Sequence, residues 1–198
     1  MGFDTELMFR DIPDKRQYKE TTSLKFKEDL IELFGDIGQD YTVLEVGTNH
    51  GHTTRILSFL FKNVITLDWR EEPNLRMAKE LNFDRDNITY IEKDVYKSSW
   101  DDLKLPKYQV SFIDCDHEYT GVLTDIQNCI KYGDLEQYII FDDYGHPTTG
   151  VKRAIQDVVD QNNNFQIIEY IGEPEGSDCR PGLILKDYEG VICKYENK

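Results

Sequence analysis

No stretch of this chain is apolar for long enough to serve as a leader or a membrane span, its four cysteines lack close pairing, and its basic residues are outnumbered. Each shortage removes a class of function. A bilayer helix needs about 20 apolar residues, and residues 1–10 are polar and mixed in charge, so no membrane partner is expected and a soluble cytoplasmic chain is. Gly2 invites N-myristoylation, but Glu6 stands where that signal needs Ser or Thr. Cys115, Cys129, Cys179 and Cys193 have neither zinc-knuckle nor CxxC spacing, which leaves buried free thiols. Lys plus Arg number 23 against 38 Asp plus Glu, a net charge of −15, and that field repels nucleic acid and anionic lipid. The tight G-x-G-x-x-G turn that presses backbone against a pyrophosphate is also missing. There is no internal repeat and no low-complexity tract.

What is present is an alternation of strand-like and helix-like segments over 198 residues, the pattern of one compact α/β domain with a mostly parallel sheet covered on both faces. Strands are expected at Thr42–Leu44, Val64–Leu67, Asn87–Ile91, Val110–Ile113 and Tyr138–Phe141, with closing strands at Phe165–Ile171 and Leu183–Cys193, the last broken near Asp187–Gly190. Helical spacing follows Thr53, Pro73, Asp116 and Gly150, and Ser98–Trp100 opens a short irregular or helical piece. Thr22 or Ser23 can cap a helix through Phe34, so the domain is placed at residues 21–198, and residues 1–20 read as a flap or frayed end.

The first strand breaks at its carboxyl end into Glu45-Val46-Gly47-Thr48-Asn49-His50-Gly51, and a helix follows, so free backbone N–H groups face the turn. That is a ligand cradle. The second strand ends in Asp68, 23 residues after Glu45, the spacing at which an acid grips a ribose diol. With glycines four apart instead of a tight turn, the loop suits a ligand carrying ribose and adenine but no phosphate, of which S-adenosylmethionine (SAM) is the common one. An ordinary βα turn with no ligand is the bland alternative. At the fourth and fifth strand ends stand Asp114 and the pair Asp142-Asp143; converging carboxylates either take up protons or hold a hard cation, Mg²⁺ or Ca²⁺. As the bland alternative, Asp142 and Asp143 merely turn the chain and cap the next helix.

Val43-Leu44-Glu45-Val46-Gly47 through Gly51-His52-Thr53-Thr54, with Asp68 and Asp94 closing later strands, resembles the class I SAM-dependent methyltransferases. Within them, Ile113-Asp114-Cys115-Asp116-His117 and Phe141-Asp142-Asp143-Tyr144 look like the metal-dependent O-methyltransferases of the catechol and caffeoyl-coenzyme A type and their sugar-methylating relatives. The resemblance covers about residues 42–160. It implies a Rossmann-like, mostly parallel seven-stranded sheet with helices on both faces. It also implies SAM as cofactor, a divalent cation such as Mg²⁺, and the hydroxyl of a small molecule (sugar, phenol or natural product) as acceptor. By position, Gly47 and Asn49 would line the methionine portion, Thr53 its carboxylate, Asp68 the ribose, Trp69 the adenine face, and Asp94 with Val95 the adenine edge. Glu45, Thr48, Gly51 and Asp114 complete that cofactor set. Asp114, Asp142 and Asp143 would ligate the metal. His117, three residues after Asp114, would take the acceptor proton, as an imidazole can near neutral pH, with Asp116 as competing base.

His50 and His52 alternate but sit in a glycine loop, facing solvent or cofactor. His146 with Tyr144 follows the paired acids and is a candidate for acceptor contact or plain surface. Arg180 and Pro181 mark a turn. Self-association is left open. Two rival readings stand beside methyl transfer: a SAM-binding protein without catalysis, and another enzyme on the same fold, such as an NAD-dependent dehydrogenase or an aminopropyl transferase.

Overall fold

The computed structural model describes residues 4–97 and 99–197, so Met1, Gly2, Phe3, Ser98 and Lys198 lie outside the described residues. Among the described residues nine strands are found: β1 (Thr42–Val46), β2 (Asn63–Asp68), β3 (Ile88–Glu92), β4 (Val110–Ile113), β5 (Glu136–Phe141), β6 (Phe165–Ile171), β7 (Asp178–Arg180), β8 (Leu183–Ile184) and β9 (Gly190–Glu196). Helices α1 (Thr5–Met8), α2 (Leu24–Phe34), α3 (His52–Leu60), α4 (Arg76–Leu81), α5 (Tyr119–Tyr132) and α6 (Val151–Gln161) connect or precede them. Seven strands form one sheet in the order β3-β2-β1-β4-β5-β9-β6, and β7 pairs with β8 as a separate ribbon. Pairings from β3 to β5 are parallel, whereas β9 runs antiparallel to both β5 and β6.

The short β-branched and aromatic runs form strands because both faces are buried, and their period of two divides the core. In β1, Val43 packs with Phe26, Ile56 and Phe61 under α2 and α3, while Leu44 and Val46 pack with Ile126, Ala154 and Ile155 under α5 and α6. Ser23 caps α2, its Oγ accepting the Phe26 N–H at 3.0 Å, an interaction worth about 1 kcal/mol.

Two expectations need correction. The last sheet strand is Gly190–Glu196 alone; Leu183 and Ile184 turn aside to pair with Asp178 and Arg180 across Pro181-Gly182, where Gly182 takes φ +82°. The segment from Asp4 to Lys19, read as a flap or frayed end, is packed. Asp4 accepts the Leu7 N–H to cap α1, Met8 is fully buried against the α2–α3 core, and Lys15 is buried among acids. No helix among the described residues is long and apolar enough to cross a membrane.

β1 and β4 are neighbours, yet the chain leaves β1 toward β2 on one side and β4 toward β5 on the other. Open α/β sheets hold ligands at such a reversal, beyond the carboxyl ends of the strands.

Candidate active site

Gly47 follows β1 with φ +102°, and a Cβ there would stand 2.0 Å from the Asp114 carbonyl oxygen. Only glycine lets the β1 and β4 ends approach so closely. In front of it lies a cleft of about 490 Å³ bordered by Gly47, Asn49, Asp68, Trp69, Asp114, His117, Asp142 and Asp143, together with Lys15, Lys19 and Asn74. A second cavity of about 310 Å³ adjoins it through Asp68, Trp69 and Cys115 and is walled by Asp94, Val95, Tyr96 and Asp116.

Asp68, at the end of β2, stands where the two cavities meet. Its Oδ2 accepts the Asn49 N–H at 2.8 Å, its Oδ1 accepts the Arg70 N–H at 3.0 Å, and the Asn74 amide donates to both oxygens at 3.2 Å. The carboxylate is therefore fixed and still presents its outer edge. Beside it the Trp69 ring is half exposed, with the Arg70 guanidinium 3.9 Å from its centre. Cys115 touches both cavities, but burial pushes its thiol up to about 12, so it stays protonated.

Four residues assigned to the cofactor are engaged within the fold. Glu45 lies on the α3 side of β1 by strand alternation; it is fully buried and accepts from Thr54 at 2.6 Å and Thr66 at 2.5 Å. Burial pushes its carboxyl up to about 8. The Thr48 hydroxyl pairs with Thr66, and Thr53 with Thr22. Gly51 holds φ +80° and abuts Ala78 and Asn82, letting α3 and α4 close on one another. Tyr144 is likewise a core side chain, its hydroxyl accepting from Gln156, whereas His146 borders the cleft.

The acids at the other end do gather, with a partner that sequence reasoning missed. Lys15 Nζ is 3.0 and 3.3 Å from the two Asp142 oxygens, 3.4 Å from Asp143 Oδ1 and 3.1 Å from Glu189 Oε1. Burial disfavours the ammonium, but the charges of Asp142, Glu189, Asp143 and Asp114 outweigh it and hold Lys15 well above its ordinary value. The same burial pushes the Asp142 carboxyl upward, and Lys15 is what opposes it. His117 spans the remaining gap, Nε2 lying 3.2 Å from Asp114 Oδ1 and Nδ1 3.4 Å from Asp143 Oδ2. Burial works against its charge, yet Asp114, Asp143 and Asp142 raise it to about 9. Asp116 turns away: its Oδ1 accepts the Glu118 N–H beside the start of α5.

Three hard carboxylates are a plausible donor set for Mg²⁺ by chemistry. As arranged they do not fit it. Both Asp142 oxygens face Lys15, the Asp143 oxygens are shared between Lys15 and His117, and among the described residues no three His, Cys, Asp or Glu side chains are disposed to hold a metal ion. The cradle does fit a nucleoside, because bare backbone at Gly47 leaves room beside two joined cavities.

Such a sheet, mostly parallel and with a cleft at its reversal point, matches the class I methyltransferase architecture. A family profile described as Methyltransferase domain matches residues 44–144, half of the chain, and the chain belongs to that family. Protein R132 of Acanthamoeba polyphaga mimivirus is 30% identical over 115 residues, 53% of this chain and 52% of that protein. The chain thus spans about half the length of this curated relative. Among solved structures, the O-methyltransferase TomG of Streptomyces achromogenes, involved in tomaymycin synthesis and bound to SAM, superposes with a TM-score of 0.67 at 14% identity over 98% of this chain and 90% of its own. An O-methyltransferase from Bacillus cereus in complex with SAH gives 0.65 at 17% identity, covering 99% and 92%. At these identities the likeness is one of fold.

Proposed function

We propose that this domain moves a methyl group from SAM to a hydroxyl of a small molecule. The observation that carries this reading is the continuous cleft: a nucleoside-sized end around Asp68 and Trp69, bare backbone at Gly47, and a cluster of acids with His117 beyond it. Bound there, SAM would supply an electrophilic methyl group on its sulfonium. Asp68 would take the ribose hydroxyls in place of the Asn74 amide, Trp69 would cover the adenine, and Asp94 and Val95 would meet its edge. Gly47 and Asn49 would border the methionine portion. The acids favour a cationic ligand, and because the sulfonium loses its charge as the methyl leaves, the protein's work is alignment and exclusion of water.

His117 suits the proton-accepting role better than Asp116, whose carboxylate accepts the Glu118 N–H on the adenine side. The surrounding acids hold His117 charged, so to accept a proton it must first lose the one on Nδ1, and the Nδ1 contact with Asp143, the longer at 3.4 Å, is the one an entering hydroxyl can replace. Asp114 would keep the other nitrogen and hold the ring in place. Lys19, His146, Thr148 and Thr149 make the acceptor wall polar, which favours a hydroxyl-rich acceptor such as a sugar. A divalent ion on Asp114, Asp142 and Asp143 would acidify that hydroxyl, but Lys15 stands on the Asp142 and Asp143 oxygens, and no step here runs through a metal.

The test joins binding to turnover. S-adenosylhomocysteine should raise the melting temperature while NAD does not, and radiolabelled SAM should deliver its methyl group to a member of a sugar and phenol panel. Stabilisation by NAD instead would end the proposal.

A further inference from the structure

We propose that the ammonium of Lys15 is the resident cation of the carboxylate cluster, and that this domain keeps its acid triad without binding a divalent ion. The argument is geometric. Lys15 is 3% exposed, and its Nζ reaches four carboxylate oxygens on three residues at 3.0–3.4 Å, the lengths of ammonium hydrogen bonds and well beyond the ~2.0–2.1 Å that Mg²⁺ demands. One of those residues, Glu189, lies outside the Asp114, Asp142 and Asp143 trio and is wholly buried. It does more than pair with the lysine: Oε1 also accepts the Ser23 N–H at 2.9 Å, and Oε2 accepts the Ser23 hydroxyl and the Glu173 N–H. This fourth carboxylate ties the lysine to the start of α2 and to the loop after β6.

The lysine's own backbone is anchored on both sides. Asp14 accepts the Leu24 and Arg16 N–H groups, and Arg16 donates to the Asp178 carbonyl and to Glu173. A divalent ion could reach Asp142 only by expelling an ammonium held in this frame. On the nucleoside side His117 bridges Asp114 Oδ1 to Asp143 Oδ2, so one oxygen of each is already drawn to a second nitrogen base.

The cation assignment does not rest on the methyl-transfer reading, and the two are read separately. Manganese titration followed by electron paramagnetic resonance should show wild-type protein binding no Mn²⁺ tighter than about 1 mM, the weak end of protein oxygen sites. Lys15→Met should gain binding by roughly tenfold or more, and Asp142→Asn in that background should remove the gain. Tight Mn²⁺ binding by wild type that Asp142→Asn abolishes would overturn the proposal, as would a folded Lys15→Met protein that gains nothing. Should Lys15→Met not fold, the Lys15 ammonium ¹⁵N resonance of wild type decides: it should be unmoved by Mg²⁺ at about 10 mM, and its displacement overturns the assignment. S-adenosylhomocysteine calorimetry on the same samples reports the nucleoside reading independently.

Discussion

The two ends of the cleft are assembled from chain segments at very different separations. At the nucleoside end, Asn49 and Asn74 meet Asp68 from 19 and 6 residues away, on the turns before α3 and before α4. At the acid end, Lys15 meets Asp142 and Glu189 across 127 and 174 residues, drawing three remote parts of the chain to one point. A local site can be assembled by turn geometry alone, whereas a remote one exists only while the whole fold is closed. In the proposed reading the first is a recognition device, while the second also acts as a latch.

Breaking the latch should therefore cost stability before it costs nucleoside affinity. Glu189→Ala removes the partner of Lys15, Ser23 and Glu173 and leaves a buried ammonium short of one anion. Urea unfolding should show a loss of about 3–5 kcal/mol, the cost of breaking a buried ion pair, with S-adenosylhomocysteine affinity nearly unchanged in calorimetry at low temperature. Equal losses in both would show that the ends are not separable.

The same contrast explains what could be read from the sequence. Strands β1, β2, β4 and β5 were legible because each is a short β-branched or aromatic run closed by an acid or a glycine loop, and Asp68 followed from spacing alone. Lys15 was not legible: Pro13-Asp14-Lys15-Arg16 has no apolar period, and nothing near it signals burial. Glu189 was hidden for a related reason, since it stands in the stretch read as a break between closing strands, and β9 enters the sheet against its neighbours, a direction that no local pattern encodes. Glu45 misled in the opposite way. Its place in the glycine motif suggested the cofactor, but β-strand alternation turns it under α3.

That buried Glu45 gives the next largest effect, through pH. Its folded pKa of about 8 lies above the ordinary 4.5, so between those values the folded chain holds a proton that the unfolded chain has released, and stability falls as pH rises through that window. Glu45→Gln should remove this slope, leaving the variant more stable than wild type by about 2 kcal/mol at pH 8 and little different near pH 4.5, as urea unfolding at the two pH values will show. A variant as pH-dependent as wild type would place the proton elsewhere.

At the nucleoside end the expected pattern inverts. Asp68→Ala should weaken S-adenosylhomocysteine by about 2 kcal/mol, roughly thirtyfold, the worth of charge-assisted hydrogen bonds to a diol, while the fold loses less because Asn49 and Arg70 can turn their N–H groups to water. Calorimetry and unfolding on one preparation make the comparison direct. A stability loss larger than the affinity loss would mean that Asp68 shapes the loop and does not read the ligand.

The contact made by Tyr18 is among those that join the two regions, and its removal should be the mildest change. The Tyr18 hydroxyl donates to Glu20 at 3.0 Å and meets His50 Nδ1 at 2.7 Å; with its proton committed to Glu20, it accepts from His50, which fixes that ring as the Nδ1–H tautomer. The Tyr18 ring also stacks on His50 at 5.5 Å, so the segment that carries Lys15 is fastened to the glycine loop that carries Asn49. Tyr18→Phe keeps the stacking and loses the hydroxyl, for a stability change of about 0.5–1 kcal/mol. If the latch and the recognition loop are independent, S-adenosylhomocysteine affinity should not follow; if affinity drops several-fold with stability barely altered, Tyr18 is the lever through which the remote end sets the geometry of the local one.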